Sequence, residues 1–270
     1  MTLSSVTTRP SRNIHLHLIA ALFFVCSSGL TAAYAEPTEI TVRVVSKDAK
    51  FIGTSVGAMR VTLRDAQTGE ILASGLTSGG TGDTKRTMHK DAGRRAILSD
   101  PSTAKFVATL DLSEPRLIEV EAFGPLAQLQ SAHRVLSSQW VVPGRSITGG
   151  DGWVLELPGM VVDVLDPPAH IKLSSSVTKV DVRANVMMMC GCPIEPKGEW
   201  DAEKFEVKAI IRRDGNPLPP VSLVYAGATS QFSGTVPVDA PGTYDVIVYA
   251  FDAGNGNTGH DRTTFIVEKK

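Results

Sequence analysis

Met187-Met188-Met189-Cys190-Gly191-Cys192 places two cysteines beside three methionines, and on an extended strand successive side chains alternate between faces. Met188, Cys190 and Cys192 would then project together as three sulfur donors, with Met187 and Met189 on the other face. Thiolate plus thioether is a soft donor set that suits Cu(I) better than Zn(II) or Ca(II), so Met188, Cys190 and Cys192 are the candidate metal ligands. A disulfide between Cys190 and Cys192 is the second chemistry open to them. On a regular strand their Cα atoms would lie about 6.6 Å apart with parallel Cβ vectors, whereas a disulfide wants Cβ atoms near ~3.8 Å. Gly191 and Pro193 can bend the chain into such a ring. A metal asks less of the backbone, because two thiolates each about 2.3 Å from one ion can sit nearly twice that far apart. Packing is the third reading, since methionine and cysteine are ordinary core residues and a strand apolar on both faces suits a sandwich interior or an interdomain contact. No histidine adjoins the set in sequence, and His170 and His260 are those that folding could bring to it.

Other motifs carry less chemistry. Gly53-Thr54-Ser55-Val56-Gly57 matches G-x-S-x-G, but a nucleophile elbow needs a strand feeding a helix, and here another strand follows. No catalytic residue is expected. Gly79-Gly80-Thr81-Gly82-Asp83-Thr84-Lys85 lacks the Gly-Lys-Ser/Thr step of a phosphate loop and reads as a flexible loop. It leads into Lys85, Arg86, His89, Lys90, Arg94 and Arg95, opposed only by Asp83 and Asp91. Such a stretch either draws an anionic lipid headgroup, glycan or protein or is a solvated connector. Asp252, Asn255, Asn257 and Asp261 offer oxygen donors to calcium, yet their spacing does not fit an EF-hand, and Gly254 to Asn257 reads as hairpin turn chemistry. Trp140, Trp153 and Trp200 are the aromatics that could stack on sugars, but Trp153 lies in an alternating run and belongs to a core, Trp200 is placed to cap the loop leaving the cysteines, and an aromatic content of 6% argues against a carbohydrate platform.

Arg9 and Arg12, the apolar run Leu18–Val25 and the small-x-small ending at Ala33-Tyr34-Ala35 predict a signal peptide over residues 1–35, cut before Glu36. Val25 before Cys26 is too large for a lipidation signal, so Cys26 is read as part of the leader. The mature chain is expected to be periplasmic or secreted, with no transmembrane segment. Losing Arg9 and Arg12 takes the formal charge from −1 to −3, which offers no global field for nucleic acid. With two mature cysteines, hydrophobic burial rather than covalent staples must hold the fold.

Ile40–Val44, Met59–Arg64, Phe106–Leu110, Leu117–Ala122 and Val154–Leu157 alternate apolar with polar residues, and turn residues separate them. Val177–Val186, Phe205–Ile211, Thr243–Ala250 and Thr263–Val267 repeat the pattern. No long run has helical periodicity, and Pro125–Leu136 has room for a short helix at most. The reading is all-β, two tandem antiparallel β-sandwiches over 36–165 and 169–270, divided at Leu165-Asp166-Pro167-Pro168, where consecutive prolines stiffen a linker. One large sandwich is the competing layout.

Val42-Arg43-Val44, Gly57-Ala58-Met59-Arg60-Val61-Thr62-Leu63 and Thr68-Gly69-Glu70-Ile71-Leu72-Ala73-Ser74-Gly75 resemble the opening of carboxypeptidase regulatory-like, transthyretin-like domains. After Gly75, where that family continues briefly to its next strand, this chain inserts a polar stretch to Asp100. Phe232-Ser233-Gly234-Thr235-Val236, Pro241-Gly242-Thr243-Tyr244 and Ala250-Phe251-Asp252-Ala253-Gly254-Asn255 resemble the last strands of bacterial immunoglobulin-like domains. Both resemblances imply a non-catalytic adhesion, scaffolding or ligand-presenting role. The expectation is a binding or assembly protein without cofactor, acting on a protein partner or cell-envelope component. The alternative is a periplasmic Cu(I)-binding or thiol redox protein using Met188, Cys190 and Cys192.

Overall fold

Strand periodicity dominates the computed structural model, which describes residues 34–89 and 93–270. The predicted signal peptide, but for its last two residues, lies outside the described residues, as do Lys90 and Asp91. The first strands are β1 (Glu36–Ser46), β2 (Arg60–Asp65), β3 (Ile71–Leu76), β4 (Phe106–Leu112), β5 (Arg116–Gly124), β6 (His133–Val141) and β7 (Trp153–Leu157). They form two sheets, ordered β4-β1-β7 and β3-β2-β5-β6. Ile40, Val42 and Val44 from one sheet and Val61, Leu63, Ile118, Val120 and Ala122 from the other fill the space between them. Each set recurs every second residue, so one face of each strand is apolar. β1 pairs antiparallel with β4 but parallel with β7, Val42 standing opposite Trp153.

Among the described residues, the polar insert after β3 forms the short helix α1 (Thr84–Met88), whose N-cap Asp83 accepts a hydrogen bond from Arg86 N, and a 3-10 turn at Gly93–Arg95. Residues 125–132 form turns rather than a helix. Leu126 N and Ala127 N donate to Ala58 O and Val56 O, so these amides are committed to a neighbouring segment instead of to a helical ladder.

The second set comprises β8 (Met160–Asp166), β9 (Ile171–Leu173), β10 (Lys179–Met188), β11 (Ile194–Glu195), β12 (Trp200–Asp201), β13 (Phe205–Arg213), β14 (Asn216–Ser222), β15 (Val224–Tyr225), β16 (Gln231–Pro237), β17 (Gly242–Asp252) and β18 (Thr258–Val267). One sheet is ordered β15-β16-β10-β8, the other β14-β13-β17-β18-β9, with β9 parallel to β18. Named in chain order, these are D-E-B-A against C′-C-F-G-A′, the immunoglobulin arrangement. Tyr244, at the start of β17, supports it. Its ring is fully buried and stacked on Phe265 at 4.7 Å, and its hydroxyl donates to Ala240 O at 2.8 Å, the tyrosine corner of such sandwiches.

The change of sandwich falls at Pro158-Gly159, ahead of the prolines at 167 and 168, because β8 already pairs with β10. β8 is apolar on both faces. Met160 and Val162 enter the second core and Val161 the first, while at the end of β10 Met188 enters the second core and Met189 the first. Polar contacts close the same seam. Buried Asn257 accepts from Gly159 N (2.9 Å) and donates to Lys47 O (3.1 Å), and Trp200 Nε1 donates to Asp48 O (3.0 Å).

Candidate functional site

The alternation expected along Met187–Cys192 is present in the packing. Met188, Cys190 and Cys192 lie in the second core, and Met187 and Met189 pack on the first. Beyond Met188 the strand turns back. Met188 N donates to Cys192 O, Gly191 N donates to Met188 O, and Cys190 and Cys192 are joined as a disulfide with Cα atoms 5.3 Å apart. Gly191 makes this turn possible. Its φ is +76°, and a Cβ there would meet Val56 Cγ1 at 2.6 Å.

Cys190 is 1% exposed, Cys192 6% and Met188 not at all, so the sulfur turn is sealed where the sandwiches meet. Bonded to each other, the two sulfurs are not thiolates in this state, and thiolates are what bind metals and attack disulfides. Among the described residues, no three His, Cys, Asp or Glu side chains gather in metal-binding geometry. His170 is at the entry to β9, its backbone N donating to Thr264 O. His260 lines a cleft of about 460 Å³ with His133, Tyr249 and Gln130. Trp200, half-buried, packs against the core that holds the cysteines.

Some of the polar groups singled out by sequence are tied into the scaffold, whereas Lys85, Arg94 and Arg95 stand exposed. Ser55 lies in a single 3-10 turn, Thr54–Val56, and among the described residues no hydrogen bond reaches its hydroxyl. The Gly79 loop is pinned, since Thr54 N donates to Gly79 O, and Gly80 exchanges backbone bonds with Ser102 and Ala104. From the basic stretch, Arg86 Nη1 donates to Ser99 O and His89 Nε2 lies 2.7 Å from Glu199 Oε2. The suspected calcium donors serve as turn and edge partners. Asp252 accepts from Gly254 N, Asn255 from Asn257 N, and Asp261 from Val164 N.

A buried charge cluster was not apparent in the sequence. Arg43, on β1, is almost wholly buried, and its Nη1 donates to Asp151 O. The Asp151 carboxylate accepts from Leu98 N, Ser99 N and Ser99 Oγ, so it pins the insert beside β1. Burial lowers the Arg43 pKa, while Asp151 and Asp100 oppose that shift. Among the described residues, Arg43 Nε has no hydrogen-bond partner. Only an alternation in which a charged residue falls on an inward or covered position could have signalled it. On β8, burial first and Asp261 second raise the carboxyl of Asp163 above its ordinary range.

Two further accessible regions bear on recognition. A dish of about 810 Å³ lies on the second sandwich, lined by Asp166, Asp181, Arg183, Ser233 and Thr235. Arg183 Nη2 lies 2.6 Å from Asp166 Oδ2, and Thr235 Oγ1 donates to Asp181 Oδ1. The other region is the outer face of sheet β3-β2-β5-β6. Register places Leu76, Arg60, Phe123 and Arg134 in one row, Ile71, Arg64, Glu119 and Ser138 in another, and Leu117 beside Trp140. Ile71, Leu76, Leu136 and Trp140 are 47–59% exposed. Arg60 sits over the Phe123 ring at 5.1 Å. Exposed aromatic and aliphatic groups are thus interleaved with arginine on this face.

No family model and no curated protein matches this sequence. Among solved structures, an engineered protein is 18% identical over 48% of this chain and 24% of its own, with a TM-score of 0.31. This chain therefore spans about a quarter of that protein's length. The fibronectin(III)-like modules of Clostridium thermocellum CbhA are 11% identical over 86% of this chain and 94% of theirs, with a TM-score of 0.29. The chicken interferon gamma receptor alpha chain is 10% identical over 87% and 100%, with a TM-score of 0.28.

Proposed function

We propose that this chain is a non-catalytic binding and assembly module of the periplasm or the exported fraction, with a transthyretin-like first sandwich and a bacterial immunoglobulin-like second one. The observation that carries the reading is the contrast between its buried chemistry and its open face. The sulfur turn is sealed at the seam, and the Asp151 carboxylate is taken up by Leu98 N and Ser99 N of the insert, while Trp140, Leu136, Ile71 and Leu76 stand exposed on one sheet. A rigid sheet face of that composition serves recognition of a protein or cell-envelope component.

The test is a photo-crosslinker at Leu76, which lies on that face at the strand farthest from β6. Expressed in the native envelope, it is expected to give one discrete covalent adduct, and illumination without any adduct would sink the proposal. A copper or thiol redox role for Met188, Cys190 and Cys192 would require the ring to open and the seam to admit solvent. Stoichiometric Cu(I) uptake by the folded protein in reducing buffer, lost in Cys190→Ser/Cys192→Ser, would favour that role instead.

A further inference from the structure

The nine-residue strand β6 ends its sheet, and its far edge enters no ladder, although β7 of the facing sheet approaches it where Trp153 Nε1 donates to Ser137 Oγ. Among the described residues, no hydrogen bond reaches its backbone except through the ladder with β5; the contacts at Arg134 and Ser137 involve side chains alone. Exposed edges are normally blunted, and two other edges of this molecule are. β14 carries Pro217, Pro219 and Pro220. At β8, Val162 N donates to Ser131 Oγ, Val162 O accepts from Gln130 Nε2, and Val164 N donates to Asp261. β6 contains no proline, no glycine and no lysine, and Arg134 is its one permanently charged residue.

We propose that β6 is a strand-addition edge through which two copies of this chain pair antiparallel about Ser137. The proposal rests on the assembly reading above and names the partner as a second copy. Ser137 is the midpoint of His133–Val141, so a two-fold axis there opposes every residue of the strand to one on the other copy. On the outer face, Trp140 meets Arg134 of the partner subunit and Leu136 meets Ser138 of the partner subunit. The pairing sets each guanidinium against an indole, an attractive cation–π geometry, and opposes no two like charges. Other registers lose this match. Centred on Ser138 instead, the strand would leave Arg134 opposite Val142, beyond the end of the strand. A β6–β6 pairing joins two four-stranded sheets into one continuous sheet and doubles the exposed face without altering either sandwich.

Sedimentation velocity over a concentration series of the purified protein is expected to show a reversible monomer–dimer equilibrium. Trp140→Arg places two guanidiniums opposite each other and should weaken the dimer by at least tenfold, whereas Trp140→Glu places a carboxylate opposite Arg134 and should retain it. Circular dichroism confirms that each variant is folded. On mild oxidation Ser137→Cys should crosslink to a covalent dimer and Ser138→Cys should not, because only position 137 faces itself across the axis. A protein monomeric throughout, a dimer indifferent to Trp140→Arg, or equal crosslinking at 137 and 138 overturns the proposal. A monomer that still gives a Leu76 adduct with a different protein refutes self-pairing and leaves the assembly reading standing. A monomer with no adduct removes both.

Discussion

Asp100 accepts hydrogen bonds from the Ser102 hydroxyl, from Ser102 N and from Asp83 N, and these, the hydroxyl foremost, hold its pKa down to about 2 despite partial desolvation. A carboxylate depressed in the folded state contributes stability that is fully present above its unfolded pKa of 3.8 and is lost as pH falls toward about 2. Asp100→Asn is therefore expected to flatten the decline of stability between about pH 4 and pH 2. Urea unfolding across that range checks it, and an unchanged slope would remove Asp100 from the acid response. Arg43 on β1 and Asp151 before β7 hold the end of the same insert and illustrate what single residues conceal. In sequence Arg43 is one polar position in an alternating strand; only the fold covers it with residues 98–99 and gives it Asp151.

At the scale of elements, a glycine decides how β10 ends. Gly191→Ala must place a Cβ against Val56 Cγ1 at a positive φ, and is expected to cost about 1–3 kcal/mol. Val56→Ala should recover part of that loss by vacating the space, so a double-mutant cycle in urea would show coupling of more than about 0.5 kcal/mol. Strict additivity would mean that the turn does not bear on the first sandwich. Strand alternation was plain along most of these elements because one face of each is buried. The residue pair at which the chain changes sandwich was less so. β8 is apolar on both faces, and its Met160-Val161-Val162 run has no period from which to tell a linker from a shared strand.

For the molecule as a whole, the seam predicts cooperativity. The two cores interleave at β8 and at the end of β10, and Asn257 satisfies buried backbone groups on either side of the junction. Calorimetry is expected to give one transition whose van't Hoff and calorimetric enthalpies agree. Asn257→Ala leaves Gly159 N and Lys47 O without these partners and should destabilise the protein by about 1–3 kcal/mol. Two resolved transitions in the unaltered protein would show that the sandwiches fold independently.

The residues alone determined the all-β architecture, the alternate placement of Met187 to Cys192, and the burial of Trp153, because side-chain period and turn chemistry are local properties of a chain. The tertiary structure decided the rest. It turned Cys190 back on Cys192 around Gly191, sealed that turn between two cores, and committed Asp252, Asn255 and Asp261 to backbone amides. Those outcomes depend on what lies opposite each side chain across the molecule, a distance relation that spacing along one chain does not encode.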